Sequence, residues 1–185
     1  MADEHAGAAR GLPGNPLIWI LIVSEVLVFA VALIAFLGLR VLHPSAFQSA
    51  AMQLHAGTGT AAMALLLTSG YLAALAQEAI RQKRLTSTRG LLVAAAALGF
   101  VFLVLKAGEY RDLWRQNVDF EDSTFFTLYA LITGFHAAHV LFGAGLLLLV
   151  CLRPRVEEVE PSVAFWHMVD LVWVMVFPVI YLVPR

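Results

Sequence analysis

The apolar run FWHMVDLVWVMVF (165–177) is interrupted by His167 and Asp170, an imidazole and a carboxylate three residues apart. On a helix that spacing places both on one face. ITGFHAAHVLFG repeats the pattern with His136 and His139, and LIVSEVLVFA holds Glu25 in an otherwise apolar setting. KAGEY adds Lys106 and Glu109, again three apart. Ionisable groups inside an apolar span are costly, so they face protein or water and mark a functional position.

Several chemistries draw on such a set. Converging imidazoles and carboxylates bind a metal ion, and bundle sites use histidine at i, i+3 beside carboxylates. Two histidines from different helices ligate haem. Carboxylate–imidazole pairs also carry protons, or simply satisfy one another as structural ties. Metal sites of the bundle type take several inward Glu and His residues at strict positions, and this set is sparse. The residue types favour a buried polar network of Glu25, His136, His139, His167 and Asp170. A proton or ion pathway ranks second, and metal or haem third. No metal or haem is expected on the chain itself.

The elements that must carry these residues follow from composition. Of 185 residues, 61% are hydrophobic and 14% charged, well beyond the apolar share of a soluble domain. About 20 apolar residues cross a bilayer core. Segments at roughly 17–39, 55–77, 90–108, 126–150 and 162–183 qualify, which predicts an all-α bundle of five transmembrane helices in one membrane domain, 1–185. The net charge of −1 gives no reason to expect a nucleic-acid partner. Cys151 is the single cysteine, which excludes an internal disulfide or a thiolate cluster. The opening MADEHAGAARGLPGNP is polar and acidic, not a basic leader, and the first span is expected to remain as an anchor.

Arg10, the cluster Arg81, Lys83, Arg84 and Arg89, and the pair Arg153 and Arg155 fall on one side of such a bundle. Arg40, Lys106, Arg111, Arg115 and Arg185 fall on the other. The excess places the N-terminus in the cytoplasm and the C-terminus outside. Counting from the inner ends then sets Glu25, His139 and Asp170 at similar depth. Lys106 and Glu109 come at the outer end of the third span, where an interfacial salt bridge is expected. Trp19, Trp114 and Trp166 lie near span ends, as an aromatic belt would. The small residues of the second and third spans suit close helix packing, and Pro178 should bend the last helix.

In order along the chain, SEVLVF (24–29), LLLTSG (65–70), KAGEY (106–110), DSTFF (122–126), GFHAAHVLFG (134–143) and FWHMVDLVWVMVFPVIYL (165–182) resemble subunit III of the haem-copper oxidases. The match is to its short, five-helix form, found in bacterial quinol oxidases and beside nitric oxide reductases. LPGNPLIWILIVSE is more similar to the latter branch. The resemblance implies an accessory, non-redox subunit of a respiratory electron-transport complex in the bacterial inner membrane. Such a subunit packs on the haem-copper catalytic subunit I and other subunits, holds lipid, and supports assembly, stability and proton uptake. Haem and copper would belong to the partner, and the lipid cleft of seven-helix members would lack one wall. By the same resemblance Glu25 is the family's buried glutamate, and His139, His167 and Asp170 its polar positions in the last two helices. A small proton-coupled carrier and a b-type cytochrome are the competing readings. The carrier reading finds no inverted repeat and no pair of interrupted helices to support it.

Overall fold

The computed structural model describes residues 16–118, 120 and 123–182; the stretch holding Arg10, and Arg185, lie outside them. The described residues form helices α1 (Pro16–Leu42), α2 (Pro44–Ala51), α3 (Ala56–Arg81), α4 (Leu85–Arg115), α5 (Thr124–Leu152) and α6 (Val156–Phe177). Among them no strand occurs, and all but α2 are long and apolar enough to cross a membrane. α2 occupies the proline-containing link after the first span and tucks Phe47, Ala50 and Ala51 into the bundle.

Helix α4 runs well past the expected 90–108 at both ends. Hydropathy marks the apolar part of a helix, whereas its hydrogen-bond ladder continues through polar turns such as EYRDLWR. The ends of α3 and α4 share one stop. Lys83 at the end of α3 and Asn117 at the end of α4 have φ of 59° and 54°. Beside them Arg84 N–H bonds to the Ala79 carbonyl and Val118 N–H to that of Leu113. These are Schellman closures with a non-glycine residue in the left-handed position. The first turns the chain within Gln82–Arg84 and sets α4 antiparallel against α3.

The core lies where α3, α4, α5 and α6 meet, and α1 leans on α5 and α6. Trp166 fills the centre. Its indole is fully buried, and its N–H donates to Ser69 Oγ at 3.0 Å while Ser69 donates to the Ala95 carbonyl at 2.7 Å. Gly99 of α4 and Gly143 of α5 make room for the ring. A Cβ at either would fall 2.6 or 2.8 Å from an indole carbon. The belt position expected for Trp166 is therefore corrected, because α6 begins at Val156 and carries this residue inside the bundle. Pro178 meets its expectation differently. It opens a π-helical turn, Pro178–Leu182, in which the wider register replaces the hydrogen bond a proline cannot donate.

The close approach around Trp166 yields a prediction. Gly143→Ala should destabilise the bundle by about 1–3 kcal/mol, the usual cost of overpacking a filled core. Gly145→Ala, on the same helix with nothing within 4 Å of a new Cβ, should be neutral. Thermal unfolding of the two variants in the same detergent checks this, and equal loss of stability in both would contradict it.

Candidate functional site

The polar layer expected from residue counting divides into separate places. Glu25 of α1 meets His139 of α5, with Oε2 3.2 Å from Nε2 and both side chains partly buried. The other ring nitrogen, Nδ1, lies 2.8 Å from the carbonyl of Phe135. A carbonyl only accepts, so Nδ1 must carry a hydrogen. The Glu25–His139 contact then holds one proton, either on the carboxyl or on Nε2, and the pair is neutral overall in both forms. Phe29 and Phe135 pack edge-on or tilted around this contact. It is a polar tie between α1 and α5.

His136 does not join that pair. Three positions apart on a helix means about 60° apart around its axis, and His136 points inward between α4 and α6. It is fully enclosed by Phe29, Phe102 and Trp173, the last with its ring centre 5.0 Å away. Neither of its ring nitrogens has a hydrogen-bond partner among the described residues. Nor do any three His, Cys, Asp or Glu side chains come together there as a metal site requires.

His167 and Asp170 share a face of α6, but their nearest polar atoms stand 3.7 Å apart, longer than a hydrogen bond. Asp170 turns instead onto the backbone of α3. A Cβ on Gly70 would collide with its Oδ2, so glycine at this position is what lets the carboxylate lie flat against the helix. His139 is not its neighbour.

Lys106 and Glu109 depart most from expectation. The pair forms at 2.6 Å, yet the two side chains are only 2% and 5% exposed and sit inside the bundle. The expected salt bridge forms, but the lysine turns into the bundle instead of snorkelling outward, and the reason is aromatic. Lys106 Nζ also donates to the hydroxyls of Tyr129 at 2.8 Å and Tyr181 at 2.9 Å. The Tyr181 hydroxyl in turn donates a hydrogen bond to Glu109 Oε2 at 2.8 Å. The three ammonium hydrogens thus have three acceptors, from α4, α5 and the π-helical turn. The rings of Tyr110 and Trp173 flank Nζ at 5.7 and 5.3 Å, close enough for cation–π attraction. Beside this cage Thr133 donates to the Tyr129 carbonyl, which leaves Tyr110 as donor to Thr133 at 2.6 Å.

Reasoning on sequence found the ionisable members and missed Tyr129, Tyr181, Tyr110 and Thr133. The only signal available was the distance of Tyr181 past Pro178, which the π-helical turn rotates inward. Gly70 was also missed, since nothing in LLLTSG announces a carboxylate from another helix.

Comparison with known proteins follows the same residues. The family model described as cytochrome c oxidase subunit III matches residues 8–184. A cytochrome c oxidase subunit 3 of Corynebacterium diphtheriae is 37% identical over 46% of this chain and 46% of its own length. A cytochrome bo(3) ubiquinol oxidase subunit 3 of Buchnera aphidicola is 26% identical over 64% and 62%. A cytochrome c oxidase subunit 3 of Alkalihalophilus pseudofirmus is 26% identical over 94% of both chains. The matched region is thus about half of the first relative and under two thirds of the second.

Lys106→Met should be far worse than the loss of the pair as a whole. It strands Glu109 among aromatic rings, and breaking a buried pair typically costs about 3–5 kcal/mol. The double variant Lys106→Met/Glu109→Met should recover most of that loss. Melting temperatures of the single and double variants in detergent decide it; additive losses would mean the two charges do not depend on each other.

Proposed function

Because the chain belongs to the cytochrome c oxidase subunit III family, we propose that it is an accessory, non-redox subunit of a respiratory haem-copper oxidase-type complex. The observation that carries this reading is the family match along residues 8–184, which takes in every polar position described above. In this role the protein is a multi-pass component of the bacterial inner membrane, in one membrane domain with its N-terminus in the cytoplasm. It packs on the catalytic subunit I and its neighbours, in contact with lipid, and haem and copper stay with that partner. Its own contribution is to assembly, stability and proton supply.

The Glu25–His139 pair suits the last of these. It holds a single proton, shared between groups on two helices, and reaches the edge of the bundle with the carboxylate side chain 22% exposed. A pair that is neutral in either proton arrangement can rest in a low-dielectric setting without a counter-ion. A proton can shift within it without changing the charge of the site.

Two experiments test the proposal. Gentle detergent extraction from the native membrane should bring down a haem-bearing subunit with this chain; failure under every mild condition would remove the accessory role. Glu25→Gln should keep the contact, since its amide donates to Nε2 while Nδ1 remains bound to Phe135. That variant is expected to assemble, yet to show altered proton uptake or shorter survival under turnover. Glu25→Ala also leaves a cavity and should lower the yield of folded subunit. A Gln variant that equals the parent in assembly, proton uptake and long-term turnover would reduce Glu25 to a packing residue.

A further inference from the structure

The chain has four tyrosines. Three of them, Tyr110, Tyr129 and Tyr181, gather with Trp173 around Lys106, whereas Tyr71 stands 65% exposed on α3. A structural tie needs only the hydroxyls, but the rings are also continuous. Their centres lie 5.6 Å apart from Tyr110 to Tyr129 and 6.5 Å from Tyr129 to Tyr181. Trp114, 76% exposed, stands one turn beyond Tyr110 on α4, an i, i+4 neighbour. Indole and phenol are the side-chain rings that give up a single electron most readily. The order Trp114, Tyr110, Tyr129, Tyr181 thus runs from the surface to a buried phenol.

The hydrogen bonds give this run a direction. A phenol that loses an electron becomes a strong acid, and it keeps the loss only if its proton leaves at the same time. A base within about 2.6–3.2 Å meets that need. Tyr110 donates to Thr133, a neutral hydroxyl. Tyr181 donates to the carboxylate of Glu109, with Oε2 at 2.8 Å. Lys106 Nζ, 2.9 Å from the Tyr181 oxygen, goes on donating to it after the proton has moved. Burial of Tyr129 and Tyr181 keeps water and dissolved reductants from the rings. The innermost phenol is therefore the place where an oxidised ring lasts longest.

We propose that these rings form an electron-transfer chain that carries a one-electron oxidation from Trp114 at the surface to Tyr181, where Glu109 takes the proton. The oxidant is a water-borne radical of the class formed when oxygen is reduced one electron at a time. It gains one electron from Trp114, which recovers it from Tyr110, and so inward through Tyr129. Tyr181 ends the sequence by losing one electron outward and its hydroxyl proton to Glu109 Oε2. The products are a neutral phenoxyl radical, a carboxylic acid and the oxidant reduced by one electron. The proposal does not rest on the accessory-subunit reading, and the purified full chain in detergent is enough to test it. A ruthenium polypyridyl complex, photo-excited with a cobalt(III) ammine as its electron acceptor, supplies the oxidant. Electron paramagnetic resonance of frozen samples and the phenoxyl absorption band after a flash read the radical. The parent should give a tyrosyl signal that Tyr181→Phe loses and Tyr71→Phe leaves unchanged. Trp114→Phe, at an exposed position that does not disturb the fold, should lower its yield severalfold. The double variant Lys106→Met/Glu109→Met removes the base without stranding a charge. It should slow radical formation by about a hundredfold or more, the usual contribution of a positioned base. No tyrosyl signal in the parent, a signal that follows Tyr71, or equal yields and rates in the parent and the Trp114 and double variants would overturn the proposal.

Discussion

Trp166 is the contact on which the rest of the bundle depends. In a bilayer no water drives helices together, so association rests on close packing and on hydrogen bonds made inside. One indole meets both needs here. Its ring fills the space that Gly99 and Gly143 leave on α4 and α5, and its N–H reaches Ser69 on α3, which holds the Ala95 carbonyl of α4. Four helices are thereby set at one level from a single side chain of α6. Other features of that helix inherit their positions from it. His167 is carried outward, Asp170 toward Gly70, and Trp173 inward against His136 and Phe102.

Above that level the bundle is closed by a charge. The Lys106–Glu109 pair joins α4 to α5 through Tyr129 and to the last turn through Tyr181. A buried ion pair adds little net stability over apolar packing of the same volume. What it does impose is register, because an ammonium with three acceptors tolerates no sliding of the helices that supply them. The π-helical turn after Pro178 belongs to the same device. An α-helical continuation would shift Tyr181 around the axis, away from the residues it now bridges.

Much of this was legible in the sequence. Five apolar spans, their order and the short links between them follow from hydropathy, and the structure has five such helices. Glu25 and His139 were assigned similar depths by counting from helix ends, and they do meet. The errors share one physical origin. Counting gives depth along a helix but not direction around it, and direction depends on which neighbours leave room. Trp166 looks like a belt residue until Gly99 and Gly143 are known to face it. Lys106 looks free to snorkel until three hydroxyl and carboxylate oxygens are found around it. His136 and His139 look like one site until the ring of His136 is found between Phe102 and Trp173 and that of His139 against Glu25.

The distribution of polar groups separates two kinds of work within one small bundle. Lys106, Glu109 and the tyrosines lie in the interior and bond chiefly to one another, as a structural tie requires, with Glu109 Oε1 left without a partner among the described residues. Glu25, His139 and His167 lie at the edges of α1, α5 and α6 with part of each side chain exposed. An interior tie gains from complete satisfaction, since every unmet donor or acceptor there is a cost. An edge group with capacity to spare loses that stability when the subunit stands alone and regains it when something polar is brought alongside. α1, which meets α5 through the Glu25–His139 contact and a few aromatic rings, and α6, whose outer face carries the exposed His167, are therefore the elements most altered by a neighbour. The interior cage around Lys106 is the part that holds still while they respond.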